Sequence, residues 1–372
     1  MVLRKLSAWF VLPAALTLFV GCGKTPYDNP IANDSQQPDK ILFDKSIEDL
    51  EKHRYELARL TLQTLINTYP DSEYIAKAKL AIADSWYREG TSHALAQAEA
   101  EYKDFITFFP TMEEAAESQM KVCRIHFEQM LKPDRDNTHA LQADQECRQV
   151  LMQWPNSVFI DETPQMLREV QEVIAEAEYR VGSFYTKKGS YRSGANRLQA
   201  MSNHYPLFSR NDEALWLLGN TYEKMGEQFE SETVSAYQRI VRDYPLSAYV
   251  DGAKDKLAAL NETVPDPDPE RLELMKYNLV NRKEKGTLSK TLTIFGTSPY
   301  LGAAAKAGDP TMTALMPTTP PGIRASTPAV QPSADVAVET ISGPSALDTE
   351  PDARQSRQPE PQPEEQEQAP QQ

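Results

Sequence analysis

The chain has 372 residues, with 39 Lys and Arg against 54 Asp and Glu, so its net charge is −15. A chain this acidic lacks the clustered basic residues that bind phosphate groups, and we therefore expect no nucleic-acid partner and no polybasic attachment to a membrane. The length would allow two ordinary domains, but the distribution of residues does not favour such a division.

The first predicted element is a signal sequence. Arg4 and Lys5 precede an apolar stretch over residues 6–20, which is shorter than the ~20 residues that a membrane-spanning helix needs. The stretch ends in Phe19-Val20-Gly21-Cys22, which resembles the lipobox of bacterial lipoproteins. In that motif a lipid is attached to the cysteine thiol, and the chain is then cut before the cysteine.

The lipobox resemblance implies a signal peptide over residues 1–21, cleavage between Gly21 and Cys22, and lipidation of Cys22. Because Gly23 rather than Asp follows the cysteine, it also implies an anchor in the outer membrane, facing the periplasm. The membrane is then reached through the lipid alone, with residues 22–40 as a linker. The alternative is an ordinary secretion signal cut near Gly21, which would leave a free thiol.

Pairs of an aromatic residue and a proline recur along the middle of the chain. Their prolines are 40, 45, 51 and 39 residues apart, a spacing typical of helical repeats that stack into a solenoid. The residue twelve places before each proline is small, those eight and five places before it are apolar or aromatic, and these offsets trace one face of an α-helix that the proline ends. The pairs are Tyr69-Pro70, Phe109-Pro110, Trp154-Pro155, Tyr205-Pro206 and Tyr244-Pro245.

The fourth unit also shows the pattern of the tetratricopeptide repeat, with Gly182, Tyr185, Gly194 and Leu198 at its characteristic positions. The predicted fold is therefore all-α: a right-handed superhelix of about five tetratricopeptide-like helix pairs over residues 41–261. The expected repeats are 41–70, 71–110, 111–155, 156–206 and 207–245, followed by an end helix near 246–261. A further amphipathic segment in 262–285 is a possible extra helix.

Residues 286–372 differ in composition from the repeats. They hold 13 of the 27 prolines and end in a run rich in Pro, Gln and Glu. Such a segment has too little apolar surface to offset its chain entropy, so we expect a disordered tail.

The sequence offers no arrangement of residues that indicates catalysis. The five histidines are scattered, and neither H-E-x-x-H nor G-x-S-x-G occurs. We therefore predict a protein that is not an enzyme and has no metal and no cofactor. The Glu-rich stretch "EVQEVIAEAE", residues 169–178, is interpreted as a solvated helix face.

Cys123 and Cys147 are both expected in the helix interface of the third repeat, because they match small or apolar core positions of the other repeats. They lie on two antiparallel helices, at similar distances from the turn near Arg135. Two interpretations remain open: a pair of buried free thiols, or a disulfide formed in an oxidising compartment.

Several stretches together resemble the BamD family, the outer-membrane lipoproteins of the β-barrel assembly machinery (BAM). The resemblance covers roughly residues 40–260. It rests on "LINTYPDSEYIAKAKLAIADSWY", on "PDRDNTHALQADQECRQVLMQWPNSVF" and on "EYRVGSFYTKKGSYRSGANRLQAMSNHYP". The family ends soon after its last helices, so the tail is an addition that the resemblance does not explain.

This resemblance implies a scaffold that docks on the POTRA domains of BamA, meets the other BAM lipoproteins and receives unfolded outer-membrane proteins as extended peptides. It further implies that Asn196 and Arg197 face BamA, and that the loop Asp134-Arg135-Asp136 belongs to the partner-binding surface. The alternative is a lipoprotein adaptor of another envelope machine that also uses tetratricopeptide repeats, either a pilotin for a secretin or a cell-division coordinator.

Overall fold

The structure is a computed structural model, and it describes residues 37–283 and 296–315. In these residues the protein is all-α, as predicted, with twelve α-helices and no strand. The helices are α1 (Pro38–Glu51), α2 (Tyr55–Thr68), α3 (Ile75–Glu89), α4 (Ser92–Phe108), α5 (Glu113–Glu128), α6 (Thr138–Gln153), α7 (Thr163–Lys187), α8 (Tyr191–His204), α9 (Asn211–Met225), α10 (Glu230–Asp243), α11 (Val250–Ala259) and α12 (Pro269–Asn281).

Each helix packs chiefly against the helices before and after it in the chain. The helices from α1 to α10 form five successive pairs, α11 packs on α10, and α12 also contacts α10. This sequential packing is that of a superhelix of tetratricopeptide-like repeats, because each pair buries its apolar face only against its neighbours. Every described helix is either too short or too polar to span a bilayer.

The aromatic–proline pairs end the second helix of each of the five repeats. Tyr69, Phe109, Trp154, Tyr205 and Tyr244 are the C-terminal caps of these helices. A residue before proline is disfavoured in the α conformation, so the helix stops there. The positions five, eight and twelve residues before each proline are all buried, which confirms the predicted helix face.

The pair α7 and α8 approaches closely because glycines lie at the crossing. A Cβ atom on Gly194 would lie 2.3 Å from Thr186 Oγ1 and 3.1 Å from the carbonyl oxygen of Gly182. A Cβ on Gly182 would in turn lie 2.8 Å from the side chain of Leu198. Any larger residue would separate the helices, so the repeat pattern read from the sequence has a steric cause here.

Cys123 on α5 and Cys147 on α6 form a disulfide, with their Cα atoms 4.9 Å apart. Both residues are fully buried. Of the two interpretations that the sequence left open, the structure therefore contains the bridge. It joins the two helices of the third repeat.

Residues 296–315, hereafter the strap, pack on the helices without forming a helix of their own. Ala304 and Ala305 of the strap are buried, and the backbone N–H of Lys283 donates to the carbonyl of Gly302. The prediction of disorder is therefore wrong for this segment. Hydrogen bonds to its main chain hold the strap in place, and such bonds cannot be predicted from amino-acid composition. The rest of the predicted tail, the signal peptide and residues 22–36 lie outside the described residues.

Candidate partner-binding surface

The loop Asp134-Arg135-Asp136 forms the turn between α5 and α6, and all three residues are exposed. Asp134 and Arg135 line an open depression whose opposite wall is the C-terminal half of α7, including Glu178. The turn of the third repeat and the first helix of the fourth repeat therefore share one surface.

Arg197 on α8 is connected to the same surface by an ion pair. Its guanidinium Nη1 lies 2.9 Å from one carboxylate oxygen of Glu178 and 3.2 Å from the other. The side chain of Arg197 is 51% exposed and that of Glu178 is 21% exposed. Glu178 thus connects the loop 134–136 with Arg197, because it lines the depression and orients the arginine.

Apolar side chains lie exposed beside these charges. Val181, Phe184 and Tyr185 line the same depression, and Phe184 is 58% exposed. The rings of Phe184 and Tyr185 form an edge-to-face pair with centroids 5.7 Å apart. We call Asp134, Arg135, Glu178, Val181, Phe184, Tyr185 and Arg197 together the α7 surface. It combines exposed aromatic rings with arginine, the residue types enriched at the centres of protein interfaces.

Asp136 and Asn196 have surroundings different from those of Arg197. The Asp136 carboxylate accepts hydrogen bonds from the backbone N–H and the hydroxyl of Thr138, and these bonds lower the pKa of Asp136 below its usual value. Asp136 therefore stabilises the first turn of α6. Asn196 is half-buried beside Arg197.

Glu178 does not stand out in the sequence, because the Glu-rich stretch 169–178 favours interpretation as a solvated face. That interpretation is wrong for several members of the stretch. Glu172 is buried, accepts hydrogen bonds from the backbone N–H and the hydroxyl of Ser209, and has a pKa raised by burial. Glu169 pairs with Lys306 of the strap at 3.0 Å. One sequence signal points to the α7 surface. Phe184 and Tyr185 are adjacent aromatic residues, and a single buried helix face does not require both of them.

Residues that could ligate a metal meet at one place in the described part of the chain. Ligand atoms of Glu99, His126 and Glu146 lie within 4.8 Å of one another. The ammonium of Lys103, however, lies 2.7 Å from Glu99 and 2.9 Å from Glu146, in the position that a cation would take between the carboxylates. His126 is also buried and lies 3.2 Å from His139, so these histidines are not the scattered surface residues that the sequence suggested.

Gly21 and Cys22, the predicted cleavage and lipidation residues, lie outside the described residues. Their roles remain predictions from the sequence.

Comparison with known proteins gives one family model, described as YfiO, an outer membrane lipoprotein, which matches residues 35–237. Curated relatives named outer membrane protein assembly factor BamD are also similar. The protein of Xylella fastidiosa (strain Temecula1) is 24% identical over 254 residues, which cover 66% of this chain and 84% of the relative. That of Caulobacter vibrioides is 23% identical over 53% of this chain and 64% of the relative. That of Haemophilus influenzae is 23% identical over 72% of this chain and 97% of the relative.

Proposed function

Because the chain belongs to the YfiO family of outer membrane lipoproteins, we propose that it is an outer membrane protein assembly factor, like the relatives it resembles. It acts as a non-enzymatic scaffold that binds other proteins. The superhelix of helix pairs supports this role, since stacked repeats present extended surfaces to other proteins.

The proposed location is the periplasmic face of the outer membrane, with the chain anchored through lipid on Cys22. The family description as an outer membrane lipoprotein supports the location, and the lipobox-like Phe19-Val20-Gly21-Cys22 supports the anchor. The net charge of −15 gives the protein no electrostatic attraction to an anionic membrane, so the lipid supplies the attachment.

The α7 surface is the proposed docking site for the POTRA domains of BamA, and the observation that carries this proposal is the Arg197–Glu178 pair. Glu178 holds the guanidinium of Arg197 in one orientation, while about half of the arginine side chain stays exposed. A carboxylate of the partner can then bind the exposed edge of an arginine that has already lost part of its side-chain freedom. Phe184 and Tyr185 would supply the apolar part of the same interface.

Within the assembly complex, the scaffold would also meet the other BAM lipoproteins and receive unfolded outer-membrane proteins. An unfolded β-strand presents alternating apolar side chains along an extended backbone, which a helical repeat surface can bind without chemical change. The names of the relatives as assembly factors support this part of the proposal.

Replacement of Arg197 by alanine tests the docking site. We expect Arg197→Ala to weaken the affinity for purified POTRA domains at least tenfold in isothermal titration at physiological salt. The circular dichroism and melting temperature should hardly change, because an exposed ion pair contributes only about 0–1 kcal/mol to stability. Loss of one partner of a desolvated pair in an interface costs far more, ~2–5 kcal/mol.

Arg192→Ala is the matched control, since Arg192 is exposed on the same helix but does not line the α7 surface. It should bind the POTRA domains as the unmodified protein does. Unchanged affinity of Arg197→Ala, or equal losses in both variants, would remove Arg197 from the docking site.

A further inference from the structure

Two buried side-chain amides bind the main chain of the strap. Gln171 on α7 donates to the carbonyl of Thr311 at 2.7 Å and accepts from the N–H of the same residue at 3.0 Å. Asn278 on α12 donates to the carbonyl of Ala307 at 3.3 Å and accepts from the N–H groups of Lys306 and Ala307 at 2.7 and 3.1 Å. Each amide therefore binds both a donor and an acceptor of the strap backbone.

Three further side chains donate to strap carbonyls or lie within hydrogen-bond distance of them. Arg168 on α7 donates to the carbonyls of Ala305 and Gly308 at 3.2 and 2.8 Å. Arg148 on α6 donates to Met312 at 3.4 Å, and His204 Nε2 on α8 lies 2.8 Å from the carbonyl of Thr313. Side chains from four helices thus bind successive peptide groups of one segment.

Residues of the helices also bind these groups. Gln171 also donates to Asp144 Oδ1 at 3.1 Å, which fixes which end of its amide donates and which accepts. Asp144 in turn binds Arg148 at 2.8 Å, and both of these side chains are buried. Polar side chains that bind one another as well as the strap need little reordering to bind a segment, whereas a covering segment needs only apolar contact.

The site also selects side chains. Ala304 and Ala305 are fully buried, so larger residues would not fit at these two positions. Lys306, which follows them, pairs with Glu169 at 3.0 Å. Gly308 has φ +98°, and a Cβ atom there would lie 2.8 Å from the side chain of Leu207. The preferred ligand is therefore a non-helical segment with two small residues, then a basic residue, and a glycine two positions after the basic residue.

We propose that Arg148, Arg168, Gln171, His204 and Asn278 form a binding site for a non-helical polypeptide segment of this kind, and that the strap fills it in cis as a displaceable occupant. Hydrogen bonds to the main chain supply the affinity, and the pattern of two small residues, a basic residue, any residue and a glycine supplies the selectivity. The site uses residues different from those of the α7 surface, so the proposal holds whether or not the docking proposal does.

The strap competes with any segment offered from another chain. A tethered segment acts at an effective concentration on the order of millimolar, so a free peptide of equal intrinsic affinity binds the resting protein poorly. Release of the strap would open the site. The chain could then bind a partner segment that cannot bind while the strap occupies the site.

The test uses the full chain and a fluorescein-labelled synthetic peptide of residues 300–314. In a released variant, Ala304→Asp with Ala305→Asp, two carboxylates replace fully buried methyl groups and should expel the strap. Fluorescence anisotropy should show the peptide binding to the released variant at least tenfold more tightly than to the unmodified chain. Adding Asn278→Ala to the released variant should weaken binding at least tenfold, whereas adding Asn281→Ala, an exposed position on the same helix, should not.

Hydrogen exchange of the unmodified chain gives a second measurement that does not depend on the variants. The N–H groups of Lys306, Ala307 and Thr311, all bound by the site, should exchange at least tenfold faster than the N–H groups in the middle of α7. Equal exchange rates, or a released variant that binds the peptide no better than the unmodified chain, would mean that the strap is a fixed brace and would overturn the proposal.

Discussion

Lys103 on α4 illustrates how single residues stabilise the stack of helices. Its ammonium lies 2.7 Å from Glu99 on the same helix and 2.9 Å from Glu146 on α6, while His126 Nε2 on α5 lies 3.3 Å from Glu99. Contacts with His126 and Lys103 lower the pKa of Glu99 to about 2. Glu99 therefore joins α4 to α5 through His126, and Lys103 joins α4 to α6 through Glu146.

This arrangement predicts a pH dependence. The pKa of Glu99 is lower in the folded protein than its usual value of 4.5, so its stabilising effect is complete above pH 4.5 and is lost as the pH falls toward about 2. Glu99→Gln should be less stable than the unmodified chain in urea denaturation at pH 7, and the difference should shrink as the pH falls through this range. Glu56→Gln, at an exposed position on α2, should show no such trend. A difference that is constant with pH would contradict the assignment.

Arg197 and Glu178 show what the sequence could and could not predict about single residues. The repeat pattern puts Gly194 and Leu198 in the helix interface, so exposure of Arg197 between them follows from the periodicity. Its partner does not follow, because the two residues are 19 positions apart and only the packing of α7 on α8 brings them together. The placement of Asp134 opposite Glu178 likewise depends on helix packing and does not follow from the sequence.

At the scale of helices, the sequence predicted those parts of the fold that bury apolar side chains with a regular period. The aromatic–proline pairs mark the ends of α2, α4, α6, α8 and α10, because proline sterics act locally whatever the surrounding structure. The strap was missed for the opposite reason. Its peptide groups are bound by distant side chains such as Gln171 and Asn278, and neither composition nor periodicity contains that information.

The disulfide in the third repeat should contribute to the stability of α5 and α6. Cross-linking residues 24 positions apart removes chain entropy from the unfolded state, an effect of about 3 kcal/mol. In a chain that carries Cys22→Ser, reductant should therefore lower the urea midpoint markedly. Cys123→Ser with Cys147→Ser should show a similar loss without reductant and no response to it.

Thiol labelling provides an independent check on the bridge. The denatured, unreduced Cys22→Ser protein should contain no reactive thiol, because Cys123 and Cys147 are bonded to each other. Two labelled thiols would exclude the disulfide in the isolated protein.

At the scale of the whole molecule, the proposed lipid on Cys22 would determine where the helical scaffold works. Cys22→Ser should release the protein into the soluble periplasmic fraction, since the acidic chain retains no electrostatic attachment to the membrane. Intact mass provides the decisive readout, because binding to a membrane partner could retain the variant. The unmodified protein should carry the mass of the acyl chains and the variant should not. An unmodified protein without that mass would instead support an ordinary secretion signal cut near Gly21.

The proposed role in outer-membrane protein assembly makes a claim about which complex contains this chain. The direct measurement is affinity purification of the tagged protein from envelope solubilised in mild detergent, with identification of the recovered proteins by mass spectrometry. We expect BamA to be recovered with the unmodified chain and to be reduced at least tenfold with Arg197→Ala, while Arg192→Ala recovers it normally. Recovery of a secretin or of cell-division proteins without BamA would contradict the account and would make the chain an adaptor of a different envelope machine.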